Sequence, residues 1–282
     1  MLAVRWVFRV LEATIQSKVG VLGATSLVGA CLLPRLVQTG YPVMAYSRRK
    51  VSQKGDDGVA WTRLPPKSLS SIHAAPPEGG KDIPLWICVA PIWVLPEYFD
   101  LLEEHGVRRV VALSSTSLFT KDDSSDPEEQ AVALRLAEAE ARVQAWAKES
   151  GVEWVILRPT LIYGLGQDKN IAEITRFISR LGFVPLFGEA RGMRQPIHAA
   201  DVAAACVAAL KSPVGASRAY NISGGETLSY LEMVGRVFSS LHRQPPLVKI
   251  PLAAFQLAGV CLKMLAKYRP WYSVIGGRQD HE

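Results

Sequence analysis

The 282-residue sequence predicts a doubly wound α/β fold: a parallel sheet with helices on both faces and a small C-terminal lobe. Three observations carry that reading. Short β-rich runs alternate with helical runs through the first half of the chain. The strand runs are continuously apolar, as in PLWICVA at 84–90, which suits strands covered on both faces. The first strand also passes directly into a glycine turn that opens a helix.

Taken in order, KVGVL (18–22) reads as the first strand and LVGACLLPRLVQT (27–39) as a helix closed by Gly40. Pro34 inside that helix predicts one lost hydrogen bond and a tolerated kink. VMAYS (43–47) and GVAWT (58–62) are the next strands, and a loop rich in Pro, Ser and Gly runs from 64 to 81. After the strand at 84–90, LPEYFDLLEEH (95–105) is a helix ended by Gly106, and RRVVALS (108–114) is a strand. Asp126-Pro127-Glu128-Glu129 starts a long helix with a cap, a first-turn proline and acids at its positive end. Gly151 stops it. Its apolar stripe is Val132, Leu136, Ala139, Val143 and Trp146. VEWVILR (152–158) follows as a strand. Beyond Arg158 glycines and prolines scatter and strands shorten, as in SRAYNI at 217–222. The expected division is a core over 18–160, with strand and helix contributions continuing to about 235, and a substrate lobe over 161–282 interleaved with it.

The formal charge of +6 is mild and spread along the chain. The one tight basic cluster, RRK at 48–50, has no aromatic ladder around it, which argues against nucleic acid as a partner and for a small molecule. Cys31, Cys88, Cys206 and Cys261 stand singly in apolar surroundings, with no CxxC and no Cys/His cluster. They read as reduced core residues of a cytoplasmic protein, without a metal site. The opening MLAVRWVFRVLEATIQ carries Arg5 and Arg9 within its apolar stretch and lacks a small-residue cleavage site. It reads as a short amphipathic helix or as the product of an early start codon. IPLAAFQLAGVCL (250–262) is too short to span a membrane. It reads as a core helix or as a peripheral membrane contact.

Between the first strand and first helix stands GATSLVG (23–29). Such a turn lets backbone N–H groups approach a pyrophosphate at the positive helix end. Gly23 and Gly29 are in place, Ser26 holds the usual middle-glycine position, and Thr25, Leu27 and Val28 complete the segment. A serine serves there if its φ stays negative, and its hydroxyl is a candidate phosphate contact. At the end of the second strand, where an acid would bind the ribose of NAD, the chain has Ser47, Arg48 and Arg49. Guanidinium groups there suit a 2′-phosphate, so NADP is favoured over NAD.

With GATSLVG, CVAPIW (88–93), SSTSLFT (114–120), LRPTLIYG (157–164), RQPIHAADVAAA (194–205) and YNISGGETLSYLEM (220–233) in this order, the chain resembles the extended or atypical branch of the short-chain dehydrogenase/reductase superfamily. That branch includes the NAD-dependent epimerase/dehydratases. The resemblance covers about residues 18–250 and implies a Rossmann-like fold. It also places Ala90, Pro91, Ser114 and Pro159 against the cofactor.

In that family a Ser or Thr, a Tyr and a Lys act together, the last two four residues apart on the long helix. The resemblance makes Ser115 the hydroxyl member, with Thr116 second and a substrate contact. Matching AEAEARV to the family's helix puts Val132 at the tyrosine position and Leu136 at the lysine, so the proton-transfer pair is expected to be missing. Tyr46 and Lys50 form the chain's one literal Y-x-x-x-K, but they lie at the adenosine end of the expected site. Tyr163 reads either as a substitute acid or as a structural or substrate-lining tyrosine. Lys121 reads as a solvated loop residue. His198 and Asp201 read as anchors of the second lobe. Arg191 and Arg194 are candidates to hold a substrate phosphate or carboxylate. Two functions follow. One is an NAD(P)-dependent epimerase, dehydratase or reductase acting on a small or nucleotide-linked substrate. The other is a catalytically silent NADP-binding redox sensor or assembly subunit.

Overall fold

The structure is a computed structural model that describes residues 17–48, 58–64, 83–121, 126–187, 192–212, 216–243 and 247–250. The expectations for the N-terminal stretch, Arg49, Lys50, the loop beyond Leu64, Arg191, Cys261 and the segment after Ile250 fall outside the described residues. The chain divides into two compact units. One comprises the residues up to Pro159 together with Ala199–Ile222, and the other comprises Thr160–His198 with the residues from Ser223 onward.

The first unit is built on a seven-stranded parallel sheet. Its strands are β1 (Val19–Leu22), β2 (Val43–Ser47), β3 (Val59–Arg63), β4 (Leu85–Cys88), β5 (Arg109–Leu113), β6 (Glu153–Pro159) and β11 (Arg218–Ile222). The spatial order is β11-β6-β5-β4-β1-β2-β3. β1 lies centrally, with Val19 opposite Val43 on one side and Leu85 on the other. All of its residues and all of β5 are buried, as the unbroken apolar runs require. β11 pairs with β6, Arg218 opposite Val155, and so belongs to the main sheet although its sequence reads like the lobe. It is an edge strand with three of its five residues exposed, so it carries little apolar signal.

Helix α1 (Leu27–Gln38) runs through Pro34 without ending. The proline faces solvent, as does Ala30, whose carbonyl loses its partner, so water can satisfy it. The helix expected at 95–105 is instead a 3-10 helix over Ile92–Tyr98 followed by α2 (Phe99–Glu104), since Pro96 cannot donate within the first stretch. The 3-10 helix uses three faces. Ile92 and Leu95 enter the core, and Val94 and Tyr98 line a surface pocket. Trp93 and the following Phe99 meet the long helix.

That helix, α4 (Pro127–Glu149), follows the short α3 (Ser117–Thr120). The Asp126 carboxylate caps it by accepting from Glu128 N. Trp146 stacks on Phe99 at 4.1 Å and donates Nε1–H to Glu103 at 2.7 Å, while the Arg135 guanidinium lies 4.5 Å over Trp93. Its buried face carries Leu136, Ala139, Val143 and Trp146 as the spacing predicts, with Ala133, Glu140 and Ala147 beside them; Val132, the first residue of the predicted stripe, is 37% exposed. Helix α6 (Ala199–Lys211) packs against α1, and its last carbonyls are satisfied from the sheet. Buried Arg109 donates to Leu210 O, to Ser212 O and to Glu153.

Among its described residues the second unit contains three two-stranded pairings. β7 (Ile162–Tyr163) pairs with β10 (Ile197–His198), β8 (Val184–Phe187) with β13 (Leu247–Ile250), and β9 (Met193–Arg194) with β12 (Leu228–Ser229). Its core gathers Ile174 and Ile178 of α5 (Ile171–Leu181), Val184, and the apolar face of α7 (Tyr230–Ser240). Asp168 starts α5 by accepting from the N–H groups of Asn170 and Ala172. Ser229 and Glu232 form a capping box at α7.

Cys88 and Cys206 are buried, whereas Cys31 is partly exposed, a correction to its expected core position: it falls on the α1 face away from Leu32, Leu33 and Leu36. Among the described residues no helix is long and apolar enough to cross a membrane, and no cluster of metal-ligating side chains occurs.

Candidate functional site

The geometry of the β1–α1 turn begins at Gly23, whose φ is +79°. Its carbonyl accepts from Ser26 N at 2.9 Å and closes the turn. A Cβ at this position would stand 2.4 Å from Ala90 N, so the turn passes the end of β4 at a distance only glycine permits. Gly29 allows a second close approach, because a Cβ there would meet Ala24 O at 2.3 Å. Ser26 has φ −77°, the negative value that lets serine hold a glycine position. Its hydroxyl accepts from Gly29 N at 3.1 Å and thereby caps α1, so that oxygen is engaged by its own helix.

The turn opens on a pocket. Gly23, Thr25 and Ser26 form one side, and Tyr46, Ser47 and Arg48 at the end of β2 form another. Leu64, Ala90, Pro91, Val94 and Tyr98 close it. No acidic residue lines it among the described residues, and Arg48 stands exposed at its rim. A glycine cradle beside a helix N-terminus offers backbone N–H groups to a pyrophosphate. Tyr46 is not available for proton transfer there. It is buried, its hydroxyl shares a 3.2 Å hydrogen bond with His105 Nε2, and burial pushes its pKa up to about 12.

At the end of β5 every hydroxyl of the serine–threonine run is engaged. Ser114 Oγ donates to Glu140 at 2.5 Å. Glu140 is 3% exposed, and Arg158 holds it through Nε at 2.9 Å and Nη2 at 2.5 Å. The Arg158 guanidinium lies 5.0 Å beneath the exposed ring of Phe119. The Ser115 hydroxyl accepts from Ser117 N at 3.1 Å and donates to Ser117 Oγ at 3.0 Å, which starts α3. Thr116 Oγ1 donates to Pro159 O at 3.3 Å. Lys121 is ion-paired with Glu129 at 3.0 Å and so is not a simple solvated loop residue.

Sequence reasoning missed Glu140. The signal was present: a carboxylate four residues after Leu136 on the helix face that carries Val132 and Leu136. The Ser114–Glu140 bond turns that face toward the end of β5. Leu136 is buried and Val132 is partly exposed on the next turn. Neither side chain can exchange a proton.

In the second unit Tyr163 stands opposite His198 in the β7–β10 ladder, with ring centroids 5.2 Å apart and the rings nearly perpendicular. Asp201 belongs to the first turn of α6 in the other unit. Arg194 is half-buried, and its Nη1 donates to Met193 O at 2.9 Å. The next residue, Gln195, is held through its carbonyl by Thr160 Oγ1 at 2.5 Å and through its amide by Gly224 O at 3.0 Å. The Cys88 and Cys206 thiols are pushed up to about 12 by burial, which keeps them protonated at neutral pH.

The helix-flanked parallel sheet defines a Rossmann-like, doubly wound α/β protein. Residues 97–223 match the model of the NAD dependent epimerase/dehydratase family. A UDP-glucose 4-epimerase from Vibrio cholerae is 27% identical over 166 residues, which are 55% of this chain and 50% of that protein. The mitochondrial NADH dehydrogenase [ubiquinone] 1 alpha subcomplex subunit 9 from Arabidopsis thaliana is 26% identical over 251 residues, 82% of this chain and 60% of that one. The chain thus spans between half and three fifths of the length of these curated relatives. In fold it is similar to a UDP-glucuronic acid 4-epimerase from Bacillus cereus solved with NAD, at a TM-score of 0.67 and 15% identity, over 83% of this chain and 87% of that one. In sequence over residues 97–223 and in fold, the chain is thus similar to epimerase/dehydratase proteins.

Proposed function

We propose that this protein binds a dinucleotide, NADP in preference to NAD, and works as an atypical NAD(P)-dependent epimerase, dehydratase or reductase on a small nucleotide-linked substrate without the usual Tyr-x-x-x-Lys pair. The observation that carries the reading is the β1–α1 turn, opening on a pocket that offers Ser47 and Arg48 where a carboxylate would select NAD. In this reading the N–H groups of the turn hold the pyrophosphate and Arg48, with Arg49, holds the extra phosphate. Ala90, Pro91, Ser114 and Pro159 border the cofactor. The bound nicotinamide supplies hydride exchange. Ser115 and Thr116 orient the substrate, Tyr163 is the remaining phenolic acid, and Arg191 and Arg194 hold an anionic group of the substrate. The first unit is the dinucleotide core and the second the substrate lobe. Protonated, buried thiols suit the reducing cytoplasm.

A second reading is a catalytically silent NADP-binding sensor or assembly subunit. What favours it is α4 itself, which contains no tyrosine, and whose match to the family's helix puts Val132 and Leu136 at the proton-transfer positions. The likeness to a subunit of a mitochondrial NADH dehydrogenase points the same way. Titrating NADP and NAD into wild type and an Arg48→Ala/Arg49→Ala double variant tests the cofactor reading. Wild type is expected to prefer NADP by about tenfold or more, a margin the variant loses. Equal affinities in wild type would sink it. Incubating the NADP-loaded protein with UDP-sugars and analysing the sugar products by chromatography, with nicotinamide absorbance followed for any net oxidation or reduction, separates the two readings. Turnover supports the enzyme, and binding without turnover supports the silent subunit.

A further inference from the structure

The pocket of the first unit carries a polar group that the proposed function leaves unused, the hydroxyl of Tyr98. The residue closes the 3-10 helix Ile92–Tyr98. With three residues per turn, Ile92, Leu95 and Tyr98 fall on one face, and all three are buried in the main core cluster. Tyr98 is 8% exposed, yet it also lines the pocket. Its ring packs as a phenylalanine would, so what distinguishes it is the oxygen. That hydroxyl has no hydrogen-bond partner among the described residues. Tyr46, the other tyrosine of the pocket, instead spends its hydroxyl on His105. A largely buried hydroxyl without a protein partner costs stability, and a ligand that takes its hydrogen bond offsets that cost.

The surroundings say what kind of ligand atom that is. Arg48 lines the same pocket from the end of β2, is exposed, and has no hydrogen bond or ion pair among the described residues. Burial pushes the Tyr98 phenol up; the charge of Arg48 opposes that rise, while Glu97 and Cys88 add to it. The phenol is therefore uncharged at neutral pH and keeps a proton to donate. No acidic side chain lines the pocket among the described residues to compete for it. A guanidinium and a neutral O–H donor on one pocket wall suit a phosphate: the first neutralises charge, and the second makes a short, charge-assisted hydrogen bond. A neutral ribose hydroxyl gains less from either group.

We infer that Tyr98 is a specificity-determining residue of this pocket, whose hydroxyl donates to the phosphate on the adenosine ribose of NADP alongside the Arg48 guanidinium. This rests on the reading of the pocket as an NADP site. The core holds the ring, so the donor is ordered before the ligand arrives and little entropy is lost on binding.

The test titrates NADP and NAD by calorimetry into wild type and Tyr98→Phe, with thermal melting of each protein without nucleotide. Tyr98→Phe keeps the ring that the core requires. It is expected to bind NADP about fivefold more weakly than wild type does, and NAD within about twofold of wild type. Its melting temperature stays level or rises, since the lost hydroxyl had no protein partner. If wild type prefers NADP and Tyr98→Phe keeps the whole of that preference, the role of Tyr98 falls and the NADP reading stands. A variant that loses the same factor for both nucleotides also overturns the role, because the hydroxyl then touches a part they share. If wild type does not distinguish the two nucleotides, the NADP reading falls and the role of Tyr98 falls with it.

Discussion

Two strand-to-helix turns of the same sheet, one after β1 and one after β5, solve opposite problems with similar residues. The first turn keeps its backbone open. Gly23 removes the side chain that would strike Ala90, and Ser26 spends its oxygen on its own helix, leaving small groups around a pocket. The second turn is closed on itself. Ser114 is tied to Glu140, Ser115 to Ser117 and Thr116 to Pro159. A run of hydroxyls at a strand end therefore does not by itself make a receptive site. What matters is whether those groups already have protein partners.

The contrast is most sharply broken at Glu140. Glu140→Ala leaves the Arg158 guanidinium without its partner carboxylate and removes the acceptor for Ser114. The expected loss is about 3 kcal/mol of stability, read by urea unfolding, with Glu140→Gln falling between it and wild type. A loss below about 1 kcal/mol would show that the second turn does not depend on this network. Gly23→Val addresses the first turn. A branched side chain at φ +79° and against Ala90 N is expected to abolish nucleotide binding and cost about 2 kcal/mol of stability. Unchanged nucleotide affinity in a folded variant would make the turn purely structural.

Smaller effects sharpen the comparison. Ser26→Ala removes the cap of α1 and is expected to cost about 1 kcal/mol in thermal or urea unfolding. Loss of nucleotide affinity well beyond that would mean the hydroxyl also reaches the ligand. Ser115→Ala removes the local bonds that start α3 and is expected to cost under about 0.5 kcal/mol of stability, whatever it does to substrate binding. A larger loss would mean that Ser115 holds more than its own turn.

Much of this was legible in the sequence because it is local physics. The unbroken apolar runs of β4 and β5 require cover on both faces, Asp126 and Pro127 start a helix wherever they stand before one, and a glycine turn between strand and helix needs no distant partner to be recognised. The stripe of α4 was legible at Leu136, Ala139, Val143 and Trp146 but not at its start, where Val132 is exposed and Ala133 buried, because the packed neighbours choose which side of a weakly amphipathic helix is covered. Tertiary structure alone decided that Glu140 would bind Ser114, 26 residues away, and Arg158, 18 away. It also decided that β11 would return to the sheet beside β6, and that Tyr98 and Arg48 would line one pocket. Each of these is a pairing between side chains or strands remote in sequence. Its energy depends on separations of a few ångströms and on the exclusion of water, and neither quantity exists until the chain has folded.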